Sequence, residues 1–339
     1  MKAVTVARPA GLDHLQVVER GDPGAPGPGQ IRVRIAANSL NYHDYAVAAG
    51  AIPTANGRIL LSDGAGVVEA IGDGVAEFAV GDHVVSCFFP YWQDGIPPHG
   101  NFSHVPGDGL DGYACEAVVT PAHWFTHAPK GWSHAEAATL PCAAVTAWRA
   151  LVVEGQLKAG DTVLILGTGG VAIFALQMAK AMGAVAIVTS SSDAKLERAR
   201  GMGADFTVNY KTDPDWGSTV RTWTGKRGVD HVLEIGGPGT LAQSITATRI
   251  GGHIALIGIL TGIKGEVPTL AMMAKQIKLQ GIVVGCRRHQ QEMVRGLEAT
   301  GIRPVIDKTF ALDRLADAFR YEEQAQHFGK ICVETDAGQ

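Results

Sequence analysis

Two rhythms of apolar and polar residues divide this chain. In the first part the apolar positions recur with period two. Residues 1–8 alternate in that way, and Ile31, Val33 and Ile35 alternate with Arg32 and Arg34, the pattern of half-buried strands. Residues 64–85, G-A-G-V-V-E-A-I-G-D-G-V-A-E-F-A-V-G-D-H-V-V, break into short strands separated by Gly-Asp turns, as in a small β-barrel. The Gly/Pro-rich stretch 21–29 reads as a connecting loop. Residues 90–112, rich in Pro, Gly, Asp and His, read as a long loop of the kind that carries function or moves.

From Ser133 the rhythm changes. Apolar strands at 163–166, 186–190, 206–209, 231–235, 253–258 and 282–285 alternate with helical stretches. That alternation predicts a parallel sheet covered on both faces. The tail offers a helix at 290–299, a strand at 304–306, a helix at 315–321 and a strand at 330–334, and it is expected to rejoin the first domain. The expected class is α/β, a doubly wound Rossmann sheet (126–286) plus a β-barrel domain (1–125 with 287–339).

The chemistry is concentrated at 162–172, T-V-L-I-L-G-T-G-G-V-A. An apolar run ends in Gly167, Gly169 and Gly170, and a helix-prone stretch, 171–182, follows. Strand, tight turn and helix in that order bring backbone N–H groups and a positive helix end against a phosphate. The spacing is G-x-G-x-x-A, a dinucleotide-binding fingerprint with Ala172 at its third position. An acid about 20 residues on would hydrogen-bond the ribose 2′-OH of NAD. Here stand Ser190, Ser191 and Ser192, then Asp193 and Lys195. Hydroxyls and a lysine suit a 2′-phosphate, so NADP is expected rather than NAD. Ser192 or Asp193 also serves as the cap of a helix over 194–202.

Composition narrows the classes. With 46% hydrophobic and 18% charged residues the chain can bury large cores. A net charge of −4 and no basic run argue against nucleic acid as a partner. The five cysteines are scattered without a C-x-x-C, which suits a reducing, cytoplasmic setting. Residues 1–8 lack a signal peptide's apolar core, and no 18-residue uncharged apolar run predicts a membrane span.

Several motifs resemble the medium-chain dehydrogenase/reductase superfamily over almost the full length. They are the 64–84 pattern above, Leu140-Pro141-Cys142 with Thr146-Ala147-Trp148, and Leu157-Lys158-Ala159-Gly160-Asp161 ahead of the fingerprint. Gly203-Ala204-Asp205, Gly228-Val229-Asp230 and His327-Phe328-Gly329-Lys330 follow. The zinc-free, quinone-oxidoreductase-like branch, with its NAD(P)-dependent alcohol dehydrogenase-like members, is the most similar. The resemblance implies a GroES-like first domain and a cleft that holds nicotinamide and substrate. It also implies no zinc: the positions of the usual Cys, His and Cys ligands hold Asn41, Ser62 and Cys142, with Asp63 matching an acid behind them. The stretch 81–112 contains one cysteine, Cys87, where a structural zinc lobe needs four. His99 and His104 are read as solvated histidines rather than ligands.

By the same resemblance, Asn41, Tyr42, His43 and Asp44 are the catalytic candidates. Asn41 would donate to a carbonyl or the cofactor, Tyr42 or His43 would donate a proton, and Asp44 has either a catalytic or a structural role. Tyr91 and Trp92 would wall the substrate or anchor the long loop. Gly169, Gly170 and Val171 would meet the pyrophosphate, and Ser190, Ser191, Lys195 and Tyr210 the adenosine 2′-phosphate. Thr146 would reach the nicotinamide ribose, and Gly258, Ile259, Leu260, Val284, Gly285 and Cys286 would line the nicotinamide. Lys330 would either enter the cleft or be a solvated lysine. Without a Lewis acid, conjugate reduction of an enone or quinone is easier than reduction of a simple ketone, because the charge delocalises into an enolate. The expected activity is therefore NADPH-dependent reduction of a conjugated carbonyl. Alcohol–aldehyde interconversion is the alternative, and a cofactor-binding protein without catalysis is the alternative from another class. A homodimer is expected through the apolar segment 258–273, beside a last strand at 282–285.

Overall fold

The computed structural model describes residues 1–97 and 104–335. The chain divides into two units, Met1–Val145 with Val284–Gln339, and Thr146–Val283. Residues 125–127 pair with residues 84–86, and Ala135, Ala137 and Ala138 pack into the same unit's core, so the chain up to Val145 stays with the first unit.

That unit opens with β1 (Lys2–Val6) and β2 (Leu15–Glu19), followed by the ten-residue β3 (Gln30–Ser39), α1 (Tyr42–Ala48), β4 (Arg58–Ile59), β5 (Asp63–Ile71) and β6 (His83–Ser86). β7 (Ala117–Pro121), β8 (Phe125–His127) and α2 (His134–Ala138) come next. β1 pairs with β2 and β4 in a small sheet. β3 is the spine of the larger one, antiparallel to both β5 and β7. β6 continues from β5, and β8 pairs with β6. The period-two rhythm has its physical meaning here. Ile31, Val33 and Ile35 point into a core with Val68, Val84 and Phe125. Arg32 points out, to Asp22 and Glu69. Gly66 on β5 is obligatory, because a Cβ there would lie 1.9 Å from the Arg34 carbonyl oxygen.

A short helix, α3 (Val145–Trp148), lies between two π-helical turns and leads to the second unit. That unit alternates as expected: β9 (Thr162–Leu166), α4 (Gly170–Ala181), β10 (Val185–Ser190), α5 (Asp193–Gly201), β11 (Phe206–Asn209) and α6 (Trp216–Trp223). β12 (Val229–Glu234), α7 (Pro238–Ala247), β13 (Thr248–Leu256), α8 (Thr269–Ala274) and β14 (Lys278–Gly281) complete it. The six strands run in the order β11-β10-β9-β12-β13-β14, all parallel. This is the Rossmann order, and β9, whose end carries the fingerprint, lies in its middle. The last strand corrects the expectation of 282–285. It is K-L-Q-G, an edge strand with exposed ends, so it lacks the apolar run of a strand buried on both sides. The apolar residues after it are irregular backbone, and Val284 has φ 45°.

The chain then returns to the first unit through α9 (Arg287–Thr300), β15 (Ile306–Ala311), α10 (Leu315–Glu323) and β16 (Lys330–Glu334). β16 pairs parallel with β15 and antiparallel with the end of β3, Cys332 opposite Ser39. This pairing carries Lys330 to the start of α1. Among the described residues no helix is long and apolar enough to cross a membrane.

Candidate functional site

The second unit presents a phosphate cradle made of backbone. Gly167 takes φ 78°, and a Cβ there would lie 2.8 Å from Ile235 Cδ1. Gly169 is the N-cap of α4, which starts at Gly170 and Val171 and runs for 12 residues. The first N–H groups of such a helix have no acceptor within it, and its dipole favours an anion at that end. Ala172 is buried, at the position where the helix closes on the sheet.

Beside this turn, at the ends of β10 and β11, stand the residues expected to recognise a 2′-phosphate. Ser190 is buried, and its Oγ accepts from the Ser192 N–H at 3.3 Å. Ser192 is the cap of α5, accepting from the Lys195 N–H. Asp193 is turned to Asn209, whose Nδ2 donates to it at 2.8 Å. Ser191 and Lys195 are half-buried, and Tyr210 is exposed.

Sequence reasoning missed Glu234, at the end of β12. Its fully buried carboxylate accepts from the N–H groups of Gly236 and Gly237 at 2.8 and 2.9 Å, and from the hydroxyls of Thr240 and Ser244. It thereby fixes the loop entering α7. A lone acid in the strand expected at 231–235 was the available signal. Gly258 is fixed by a close approach, since a Cβ there would lie 2.1 Å from the Ile235 oxygen. Ile259 and Leu260 are exposed, and Thr146 is buried.

The first unit holds a buried polar centre. α1 begins with a capping box, in which Asn41 is the cap and Asp44 the acid three residues on. Asp44 is 1% exposed and accepts from the Asn41 N–H (3.0 Å), Asn41 Nδ2 (3.1 Å), the Ser62 N–H (2.8 Å) and Ser62 Oγ (3.2 Å). Its role is structural, binding the start of α1 to the chain ahead of β5. Asn41 Nδ2 also donates to Asp63 Oδ2 at 2.9 Å, and lies 3.3 Å from Ser62 Oγ. The Cys142 N–H donates to the same Asp63 oxygen at 3.3 Å. Lys330, 4% exposed, donates from Nζ to Asn41 Oδ1 at 2.6 Å and to the Leu40 carbonyl. Lys330 is therefore not a solvated lysine, as its ammonium is held inside the first unit.

Burial sets the charges here. It pushes the Asp63 carboxyl up to about 7, with Asp44 adding to the rise while Lys330 and Asn41 oppose it. Burial likewise pushes Glu322 up to about 7 and the Cys142 thiol well above its usual range. His43 behaves in the opposite way. Burial disfavours its charge, but Asp108 (3.5 Å from Nε2) and Asp44 (3.6 Å from Nδ1) outweigh that and raise it to about 9. Its ring also packs edge-on against Phe88. Asp108 comes from the long loop and had no signal in the sequence. The Tyr42 side chain is half in solvent.

Asn41, Ser62 and Cys142 do not fit a zinc ion. Asn41 turns Nδ2, which has no free lone pair, toward the acids, and its Oδ1 already accepts from Lys330. That leaves Cys142 as the one usual zinc donor of the three, and a single thiolate does not make a tetrahedral site. Among the described residues no group of three or more His, Cys, Asp or Glu side chains could hold a metal ion. His104 packs edge-on against Tyr91, and His99 lies outside the described residues.

The two aromatic residues of the long loop divide. Trp92 is 2% exposed, donates from its indole to the Gly95 carbonyl and packs near Phe89 and His289, so it anchors the loop. Tyr91 is exposed and packs against Trp124 and His104. Val284 and Cys286 are buried. Gly285 has no room for a side chain, as a Cβ would lie 2.8 Å from Val145.

Comparison with known proteins agrees with the fold of the two units. Residues 27–130 match the alcohol dehydrogenase GroES-like domain, and residues 170–299 match the zinc-binding dehydrogenase family. A zinc-type alcohol dehydrogenase-like protein of Schizosaccharomyces pombe is 42% identical over 96% of this chain and 97% of its own length. A solved NAD-dependent alcohol dehydrogenase superposes with a TM-score of 0.89 at 34% identity, covering 98% of this chain and 99% of that one. A crotonyl-CoA carboxylase/reductase, AntE, solved with NADP, superposes with a TM-score of 0.86 at 25% identity, covering 98% and 94%.

Proposed function

We propose, from the premise that this chain belongs to the medium-chain dehydrogenase/reductase superfamily and is an NAD(P)-dependent oxidoreductase, that it reduces a conjugated carbonyl, an enone or quinone, with NADPH and without zinc. The observation that carries this reading is the donor set at Asn41, Ser62 and Cys142: the Asn41 and Ser62 side chains are spent on Asp44, Asp63 and Lys330, which leaves one thiol. A centre without a Lewis acid favours substrates whose developing charge spreads by conjugation. The reductase likeness at 25% identity supports the same chemistry, and Ser191 with Lys195 supports NADPH.

Held by the turn at Gly169, Gly170 and Val171 with Ser191 and Lys195, a bound nicotinamide would supply the hydride, and the charge that develops would lie on the substrate's carbonyl oxygen. His43 then acts as the proton source. It is held as an imidazolium by Asp108 and Asp44, and its proton neutralises the enolate at oxygen or at the α-carbon. Asn41 takes a different role from the one the resemblance implies. Its amide hydrogens are committed to Asp44 and Asp63, so it organises the centre rather than donating to substrate.

The alternative is alcohol–aldehyde interconversion, supported by the likeness to the NAD-dependent alcohol dehydrogenase. A panel of enones, quinones, aldehydes and alcohols with NADPH and NADH separates the two. Enone or quinone turnover with NADPH is the expected result, and alcohol oxidation alone would overturn the reading. The same proposal includes a homodimer, because Ile263, Leu270 and Met273 are 84, 73 and 70% exposed on one short segment. Light scattering showing a monomer would refute it.

A further inference from the structure

We infer that the Lys330 ammonium is the resident cation of the buried polar centre at the start of α1. The inference rests on the metal-free reading above and extends it. Two acids on different elements meet at one buried carboxamide: Asp44 on α1 and Asp63 at the start of β5 both accept from Asn41 Nδ2, and the Cys142 N–H donates to Asp63. Burial raises Glu322 on α10 as well, and Lys330 opposes that rise. Such a collection of acids, out of water, needs a compensating positive charge. β16 provides it, since Lys330 is 4% exposed and its Nζ bonds Asn41 Oδ1 at 2.6 Å.

The same contact fixes the carboxamide. Lys330 has only donors, so it selects the oxygen of Asn41 and turns Nδ2 toward Asp63 and Asp44. One lysine thus balances the charge directly and, through Asn41, orients both acids. Lys330 is a positioning residue that acts through Asn41.

The experiment is the thermal stability of the full-length protein and of Lys330→Met at pH 8.5 and at pH 5.5. Removing the ammonium raises the folded-state pKa of Asp63 and Glu322 further, so the penalty grows where they must ionise and fades where they are protonated. The expected result is a melting-temperature loss at pH 8.5 roughly twice or more that at pH 5.5. Adding Asp63→Asn to Lys330→Met should recover part of the loss at pH 8.5. A chain that folds only at the lower pH counts as the same result. Equal losses at both pH values, with no recovery from Asp63→Asn, would overturn the assignment and leave Lys330 a packing residue. Elemental analysis of the unmodified protein keeps the two readings apart. Stoichiometric metal would overturn the metal-free reading, whereas a pH-independent loss without metal would overturn only the role of Lys330.

Discussion

The two units solve the same problem, holding charge in a protein interior, with opposite means. The second unit uses backbone: Gly167, Gly169 and the start of α4 make a site for an anion within a few consecutive residues. The first unit uses side chains from positions 41, 44, 62, 63 and 330, tied by hydrogen bonds that span up to 289 residues of sequence. A backbone site tolerates change in its side chains, provided the glycines remain. In a side-chain site every member is the partner of another, and losing one leaves the others buried and unpaired.

The comparison is broken most severely at Asp44. Asp44→Ala leaves the Asn41 and Ser62 N–H groups without their carboxylate, and should cost about 3–5 kcal/mol in denaturant unfolding. A loss below about 1 kcal/mol would mean that the centre relaxes easily and is not a mutually dependent network.

The cradle should respond more gently and more selectively. Lys195→Ala and Ser191→Ala should each weaken NADPH binding by about 1–3 kcal/mol, with NADH nearly unaffected and stability unchanged. Equal losses for both cofactors in titrations would remove the case for a 2′-phosphate site.

The smallest effect is expected at the edge of the centre. His43 is raised to about 9, so a reaction that uses its proton should persist through neutral pH and decline as pH rises through that value. Asp108→Asn keeps the shape and removes one of the two charges that hold the imidazolium. The decline should then move to lower pH in the kcat/KM profile, with little change in stability. An unmoved profile would exclude His43 as the proton source.

Legibility from sequence follows the same division. The fingerprint turn, the strand–helix alternation and the period-two strand around Ile31–Ile35 are local patterns, and each formed where it was expected. The sixth strand did not, because K-L-Q-G at a sheet edge has no apolar periodicity to read. The place of residues 125–138 in the first unit is not a local pattern either, since β8 and α2 join that unit by pairing and packing rather than by composition. In the site, the types of Asn41, Asp44 and Ser62 were legible as candidates, but their bonding was not. Nothing local ties Lys330 to Asn41 or Asp108 to His43, because the pairing of β16 with β3 and the course of the long loop make those contacts.

The central claim is that the first unit's centre works with its own side chains and no metal. Its most direct test is the metal content of the purified, active protein, measured together with NADPH-dependent enone or quinone turnover before and after exhaustive chelation. The account predicts zinc well below one equivalent per chain and turnover unchanged by chelation. One tightly bound equivalent, whose removal abolishes turnover and whose return restores it, would contradict it.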